Sequence, residues 1–316
     1  MTMKKTIVVV GATGGQGGGL ARAILNDPDS AFRVRAVVRN PSSEKAMELA
    51  RLGAEVVQAD LNDLPSLKLA FQGAYGAFCV TSFYELFSPE KEIAQAANMA
   101  EAAKDAGLEH VIWSTLEDTR KLAPLNDNRI SLMGNYKVPQ SDSKGEANRE
   151  FTDRGVPTTF LLTSFFWENF INYELVSPKK GPDGVLGITL TMADKKLPGI
   201  GVEDIGKCAY GIFKRGSDYI GKTVGIAGEH LTGEEMAAAF SKALGQAVRY
   251  NPMTDDAYAS TFAFPGVEIM VATFQFQRDF NADYCAARDP AESKLLNPEI
   301  QSFEAWLALN RARIPL

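Results

Sequence analysis

The amino-acid sequence predicts an α/β protein, a doubly wound parallel sheet followed by a smaller C-terminal α+β lobe, on three observations. Short apolar runs rich in branched residues alternate with helix-length amphipathic segments, the pattern of a parallel sheet covered on both faces. The first of these runs passes straight into a glycine-rich loop and then a helix. After about Phe165 the alternation loosens and Gly and Pro become frequent. The expected division is therefore 1–165 for the sheet domain and 166–316 for the smaller lobe, with residues at about 200–215 packing back on the first domain.

The predicted strands are Thr6–Val10, Arg33–Val38, Glu55–Gln58, Gly76–Val80, His110–Ser114 and Thr159–Leu162. Between the fourth and fifth lies a helix that Ser88 caps, with Pro89 at its first position and Gly107 at its end. Its expected apolar stripe is Ile93, Ala96, Ala97, Ala100 and Ala103, small residues that allow close approach to a sheet. Further on, Lys179–Gly187 reads as an exposed, turn-rich loop and Thr223–Ala227 as a strand. Thr232 and Glu235 have the spacing of a capping box. The rest of the C-terminal third is weakly patterned.

Composition excludes several classes of function. The 316 residues are 45% hydrophobic and 23% charged, which suits a chain with a real core and no disordered or repeat character. Lys plus Arg number 33 against 39 Asp plus Glu, a net charge of -6, so the basic surplus needed to bind nucleic acid directly is missing. Cys79, Cys208 and Cys285 fit neither a disulfide framework nor metal spacing and point to a reducing cytoplasm. The apolar run Ile7–Val10 after Lys4 and Lys5 is too short for a signal peptide and reads as the first strand. No stretch approaches the roughly 20 apolar residues of a membrane-spanning helix. The oligomeric state is left open.

The clearest motif follows the first strand as Gly11, Ala12, Thr13, Gly14, Gly15, Gln16 and Gly17, and a helix begins near Gly18. Gly11 permits a tight turn, Gly14 lets backbone approach a pyrophosphate, and Gly17 lets helix pack on strand. The helix N-terminus supplies N–H groups to the anion. This is a Rossmann-type dinucleotide site in the structural context it requires. An NAD site places an acid at the end of the second strand; here stand Val38, Arg39 and Asn40. Arg39 offers a charged donor fork to a 2'-phosphate, with Asn40, Ser42 and Ser43 as further donors, so NADP(H) is the expected cofactor. Asp60 ends the third strand, either beside the adenine amino group or as the cap of the next helix. Thr81, Ser82 and Phe83 follow the fourth strand and should line the cofactor crevice.

With these residues in view the chain resembles the NmrA-like family, atypical members of the short-chain dehydrogenase/reductase superfamily. The likeness is carried by Gly11–Gly17, by Val38-Arg39-Asn40-Pro41, by Gly53–Val57 with Asp60, and by Val80–Glu85. It continues in Ser143-Lys144-Gly145-Glu146, Phe166-Trp167-Glu168-Asn169, Phe264-Pro265-Gly266 and Asn297-Pro298 to Trp306-Leu307. The resemblance implies NADP contact through the glycine loop, Arg39 to Ser43, Asp60 and Leu61, Thr81 to Phe83, Lys144, and Phe166, Trp167, Glu168 and Asn169. Human-type members carry a further cofactor lysine on the helix after the fourth strand, where this chain reads Ile93-Ala94-Gln95-Ala96.

Standard members of the superfamily place a tyrosine four residues before a lysine, and the lysine helps the phenol act as proton donor. Here Gln140 stands four before Lys144, and a carboxamide cannot exchange a proton at neutral pH. Lys144 then binds the nicotinamide ribose, the favoured reading, or is itself the proton-transfer group, or is a surface lysine. Tyr136, eight residues before Lys144, reads as a loop or lid residue. Ser114 and Thr115 either polarise a substrate or cap the next segment. Phe165, Phe166 and Trp167 either wall the nicotinamide side of the cleft or belong to the core. His110 and His230 stand alone, which removes triad and zinc readings, and no metal is expected. Two functions remain: an NAD(P)H-dependent reductase of a small hydrophobic or quinone-like substrate, and a redox sensor that reports NADP(H) state to a regulatory protein partner.

Overall fold

The computed structural model describes residues 3–173, 175–262 and 264–316. In chain order the first elements are β1 (Lys5–Val10), α1 (Gly15–Leu25), β2 (Phe32–Val38), α2 (Glu44–Arg51), β3 (Glu55–Gln58), α3 (Leu64–Phe71) and β4 (Gly76–Cys79). Then come α4 (Phe83–Leu86), α5 (Pro89–Asp105), β5 (His110–Thr115), α6 (Pro139–Thr152), β6 (Thr158–Leu162), β7 (Phe165–Phe166) and α7 (Asn169–Asn172). After β8 (Lys179–Lys180), β9 (Leu186–Leu190) and β10 (Leu197–Ile200) follow α8 (Val202–Arg215), β11 (Thr223–Gly225), β12 (Glu229–Leu231), α9 (Gly233–Leu244) and β13 (Val248–Pro252). The chain closes with α10 (Asp255–Thr261), α11 (Val267–Asp279), α12 (Asn281–Ala286), α13 (Pro290–Leu296) and α14 (Phe303–Asn310).

The seven-stranded sheet has the order β11-β6-β5-β4-β1-β2-β3. Strands β1 to β6 pair in parallel throughout. Five of the six residues of β1 are buried, which is why such strands read as continuous apolar runs rather than as alternating ones. The chain leaves β1 toward β2 on one side and returns to β4 on the other, so strand order reverses between β1 and β4 and a crevice opens at their carboxyl ends.

The chain forms two units: residues up to Asp118 with Gln140–Thr163 and Val202–Val224, and Thr119–Pro139 with Ser164–Gly201 and Gly225–Leu316. The division differs from a cut at 165 in two segments: Thr119–Pro139 goes with the second unit, and Val202–Val224, spanning most of the 200–215 expected to pack on the first domain, goes with the first. Helix α8 belongs to the first unit because two glycines let it lie against α1: a Cβ on Gly19 would sit 2.7 Å from the Glu203 carbonyl oxygen, and Gly206 faces the Leu20 backbone. Arg22 clamps the pair through Glu203 Oε1 and Oε2 at 2.8 and 2.7 Å. Residues 119–139 go with the second unit because Ala123, Ile130 and Val138 are buried in its core and Lys137, itself buried, donates to the Asp127 and Ile130 carbonyls.

In the second unit β12-β10-β7 and β13-β9-β8 form two small sheets. Its core is aromatic: Trp167, Phe170, Phe240, Phe303 and Trp306 meet with ring centroids 5.0 to 6.1 Å apart. Lys179–Gly187 is a hairpin, with Lys179 paired antiparallel to Gly187, rather than a loop. The weakly patterned C-terminal third contains α10 to α14. Of the stripe expected on α5, Ala96, Ala100 and Ala103 are buried while Ile93 and Ala97 are half-buried, and the buried face also takes in Glu92, Gln95, Met99 and Ala102. Among the described residues no helix is long and apolar enough to cross a membrane.

Candidate functional site

The glycine loop lies at the carboxyl end of β1, beside the crevice. Gly11 has φ +64, which favours glycine, and its carbonyl accepts from Gly14 N–H at 2.9 Å to close the turn. A Cβ at Gly17 would lie 2.6 Å from Gly11 O and 2.7 Å from Val10 O, so the start of α1 reaches the strand only without a side chain. At Gly14 a Cβ would have 3.2 Å to the same oxygen. There the absent side chain leaves the outer face of the turn open, since Gly14 and Gly15 are both exposed. No side chain caps α1 and no acid stands in its first turn, so the positive end of the helix is not neutralised from within. These features fit a dinucleotide pyrophosphate. Thr13 borders a groove of about 270 Å³ lined also by Gly14, Gly15, Arg22, Glu48 and Lys45, the last a cation on α2 that the sequence reading passed over. Gln16 accepts through Oε1 from Ser114 Oγ at 2.7 Å, bridging from α1 to the end of β5.

Arg39 stands exposed at the end of β2 and Gln58 Nε2 donates to its carbonyl. Asn40 Oδ1 accepts from Ser42 N–H, and Ser43 Oγ caps α2 by accepting from Ala46 N–H, so both side chains keep donors to offer. The sequence counts no acid at this point. The fold supplies one: Glu85, on α4, meets the Arg39 fork at 2.8 and 3.4 Å. Asp60 caps no helix; its Oδ1 accepts from Asn62 N–H and Nδ2, and the residue before α3 is Asp63. Leu61 accepts through its carbonyl from Asn98 Nδ2.

Lys144 is the centre of a buried polar cluster. Its Nζ donates to Thr81 O at 3.0 Å and Thr81 Oγ1 at 2.7 Å, and meets Glu92 Oε1 at 2.9 Å. These three partners match the three N–H bonds of an ammonium group. Glu92 is fully buried and also accepts from Thr81 Oγ1 at 2.7 Å and from Ser143 Oγ at 2.5 Å. Trp113 lies beneath the ammonium, 5.4 Å from Nζ to the ring centroid. Glu92 is absent from the sequence reading. Gln140 sits one turn before Lys144 on α6 and is buried, so a carboxamide does stand where the acid would. Gln95, within the Ile93–Ala96 stretch, donates to Asn62 Oδ1.

The other candidates have local partners. Thr115 Oγ1 contacts Asn148 Oδ1 at 2.8 Å and Lys144 O at 3.0 Å, tying β5 to α6. Ser82 is exposed and Phe83 buried. Tyr136 is in the second unit, with the Arg120 guanidinium 5.2 Å from its ring centroid. Phe166 to Asn169 also belong to the second unit, where the Trp167 ring is core against Phe303 and Trp306 and Glu168 Oε1 accepts from the Trp306 indole at 2.9 Å. His110 is buried with Nε2 at 2.8 Å from Thr159 Oγ1, and burial pushes its pKa down to about 4. His230 meets the Arg288 carbonyl. Among the described residues no group of His, Cys, Asp and Glu could hold a metal ion.

Residues 3–307 match the family model described as the NmrA-like family. An NmrA-like family domain-containing oxidoreductase, malD of Malbranchea aurantiaca, is 30% identical over 79% of this chain and 76% of its own. The crystal structure of NmrA, a negative transcriptional regulator, in complex with NAD is 26% identical with TM-score 0.80, covering 97% of this chain and 95% of that one. The NADP complex of NmrA gives 25% and 0.78 over the same shares.

Proposed function

The chain belongs to the NmrA-like family, and from that premise we propose that it binds NADP(H) on its first unit and acts as an atypical NAD(P)H-dependent reductase of a small hydrophobic or quinone-like molecule. The observation that carries the reading is the glycine cradle at the reversal of strand order, uncapped and with no acid in the first turn of its helix. Gly14 and the α1 N-terminus hold the pyrophosphate, Arg39 with Asn40, Ser42, Ser43 and Lys45 the 2'-phosphate, and Thr81, held in place by Lys144, borders the nicotinamide ribose. NADPH, when bound, supplies a hydride.

The chain's own residues restrict what can accept that hydride. Gln140 carries no exchangeable acid, and the Lys144 ammonium spends its N–H bonds on Thr81 and Glu92. Lys144 thus serves to hold the Thr81 backbone at the crevice rather than to protonate a product. Acceptors whose reduced form is stabilised by conjugation, quinones among them, have least need of a concerted acid. The name of malD as an oxidoreductase supports this reading. Gln140 equally favours a second one, a sensor of NADP(H) acting through a protein partner, a reading that the likeness to NmrA, a negative transcriptional regulator, supports. Cys79, Cys208 and Cys285 form no disulfide with one another, which supports a reducing cytoplasm for either role.

The test measures NADPH binding by fluorescence beside NADPH oxidation at 340 nm across quinones, aldehydes and ketones. Oxidation with quinones above aldehydes supports the reductase. Tight binding with no oxidation by any acceptor favours the sensor, and no binding overturns both.

A further inference from the structure

We propose that Glu85 is a specificity-determining residue for the cofactor, competing with the 2'-phosphate of NADP(H) for Arg39. The inference rests on the reading above that Arg39 meets that phosphate. The same guanidinium fork that would take a phosphate in two parallel bonds is taken by the Glu85 carboxylate, at 2.8 and 3.4 Å. Glu85 is not a loosely tethered partner. Helix α4 starts just after Thr81, which Lys144 and Glu92 pin, and Phe83 is buried beneath it. Phe87 ends the helix at φ +47 and packs on Phe83 and Tyr84 at 6.1 and 5.9 Å.

The pair itself is exposed, 76% at Arg39 and 56% at Glu85, so a doubly charged phosphate can displace the carboxylate. Displacement still costs the lost pair and leaves a carboxylate beside a like charge. NADH brings no phosphate and leaves the pair intact. Glu85 therefore lowers affinity for NADPH selectively and narrows the preference that Arg39 alone would give.

Glu85→Gln should tighten NADPH about two- to fivefold, the range of an exposed ion pair, and leave NADH unchanged. Calorimetry with 2',5'-ADP and 5'-AMP should reproduce the difference without any turnover, and added salt should shrink it. In the Arg39→Ala background the effect of Glu85→Gln should shrink to the part that comes from direct repulsion between the carboxylate and the phosphate. Unchanged NADPH affinity in Glu85→Gln, or equal changes for both cofactors, overturns the proposal. If that result comes with a lowered NADPH to NADH ratio in Arg39→Ala, Arg39 keeps its role and only the inference about Glu85 falls. A ratio that Arg39→Ala does not move overturns the 2'-phosphate reading as well.

Discussion

Replacing Lys144 with Met should destabilise the first unit more than replacing Glu92 with Gln, although the two residues share one ion pair. Glu92 is fully buried, whereas the Lys144 side chain retains 12% exposure. Lys144→Met leaves a carboxylate in the interior with only the Thr81 and Ser143 hydroxyls as donors, and an unpaired buried charge costs about 3 to 5 kcal/mol. Glu92→Gln keeps the shape and an acceptor oxygen, and the lysine keeps both Thr81 oxygens, so about 1 to 2 kcal/mol is expected. The double variant should cost less than the sum by at least roughly 1.5 kcal/mol, because the stranded charge is gone. Native-state hydrogen exchange of amides in β4, α5 and α6 reads the first unit separately from the second. A Lys144→Met loss below about 1 kcal/mol, or strict additivity, would refute the assignment of a buried, mutually neutralising pair.

Gly17→Ala places a methyl against two carbonyl oxygens of its own turn and should both destabilise the fold by roughly 2 kcal/mol and abolish cofactor binding, measured by thermal melts and calorimetry. Gly14→Val should bind neither NADPH nor NADH while the fold survives; retained binding would show that the loop is not the site. His110 is held neutral by burial, with a folded pKa of about 4 against 6.5 unfolded. Its contribution is therefore present above pH 6.5 and is lost as the unfolded chain protonates between pH 6.5 and 4, up to about 3 kcal/mol. Urea titrations should show that slope in the parent and a flatter one in His110→Asn; equal slopes would contradict the assignment. Gln140→Tyr restores an acid one turn before Lys144 and should raise NADPH-dependent reduction of simple carbonyls, while no gain with cofactor still bound speaks for the sensor.

The parallel sheet is legible in the sequence because its strands are buried on both faces, and Ser88, Thr232 and Glu235 give their helix starts away because capping is local: Ser88 Oγ accepts from Lys91 N–H and the Thr232–Glu235 box closes. What escapes is long-range. Gly19 and Gly206 carry no local signature, and their role shows only where α1 and α8 touch through them. Residues 119–139 carry no regular pattern because their order comes from Lys137 binding two carbonyls of the same segment. Helices α10 to α14 hide because most are short and bury few residues each, as Tyr258 in α10 and Tyr284 in α12 do.

The candidate site divides along the same line. The glycine loop is contiguous, so spacing alone reveals it. Glu92 and Glu85 are not, since their partners lie far along the chain: Lys144 on α6 and Arg39 on β2. Glu92 also has a local explanation that masks its role, because an acid in the first turn of a helix suits the dipole without any partner. A trace was present: Glu92 lies on the same helical face as Ala96, Met99 and Ala103, and a carboxylate on a buried stripe requires a cation or several donors. Glu85 left no such trace, being exposed on a four-residue helix. Glu85 comes from the connection between β4 and α5 and Glu92 from the first turn of α5, both in the stretch of chain that follows the reversal of strand order. Glu92 there pairs with Lys144 and Glu85 with Arg39, so changes in that stretch should alter the hold on Thr81 and cofactor preference while leaving the glycine cradle untouched.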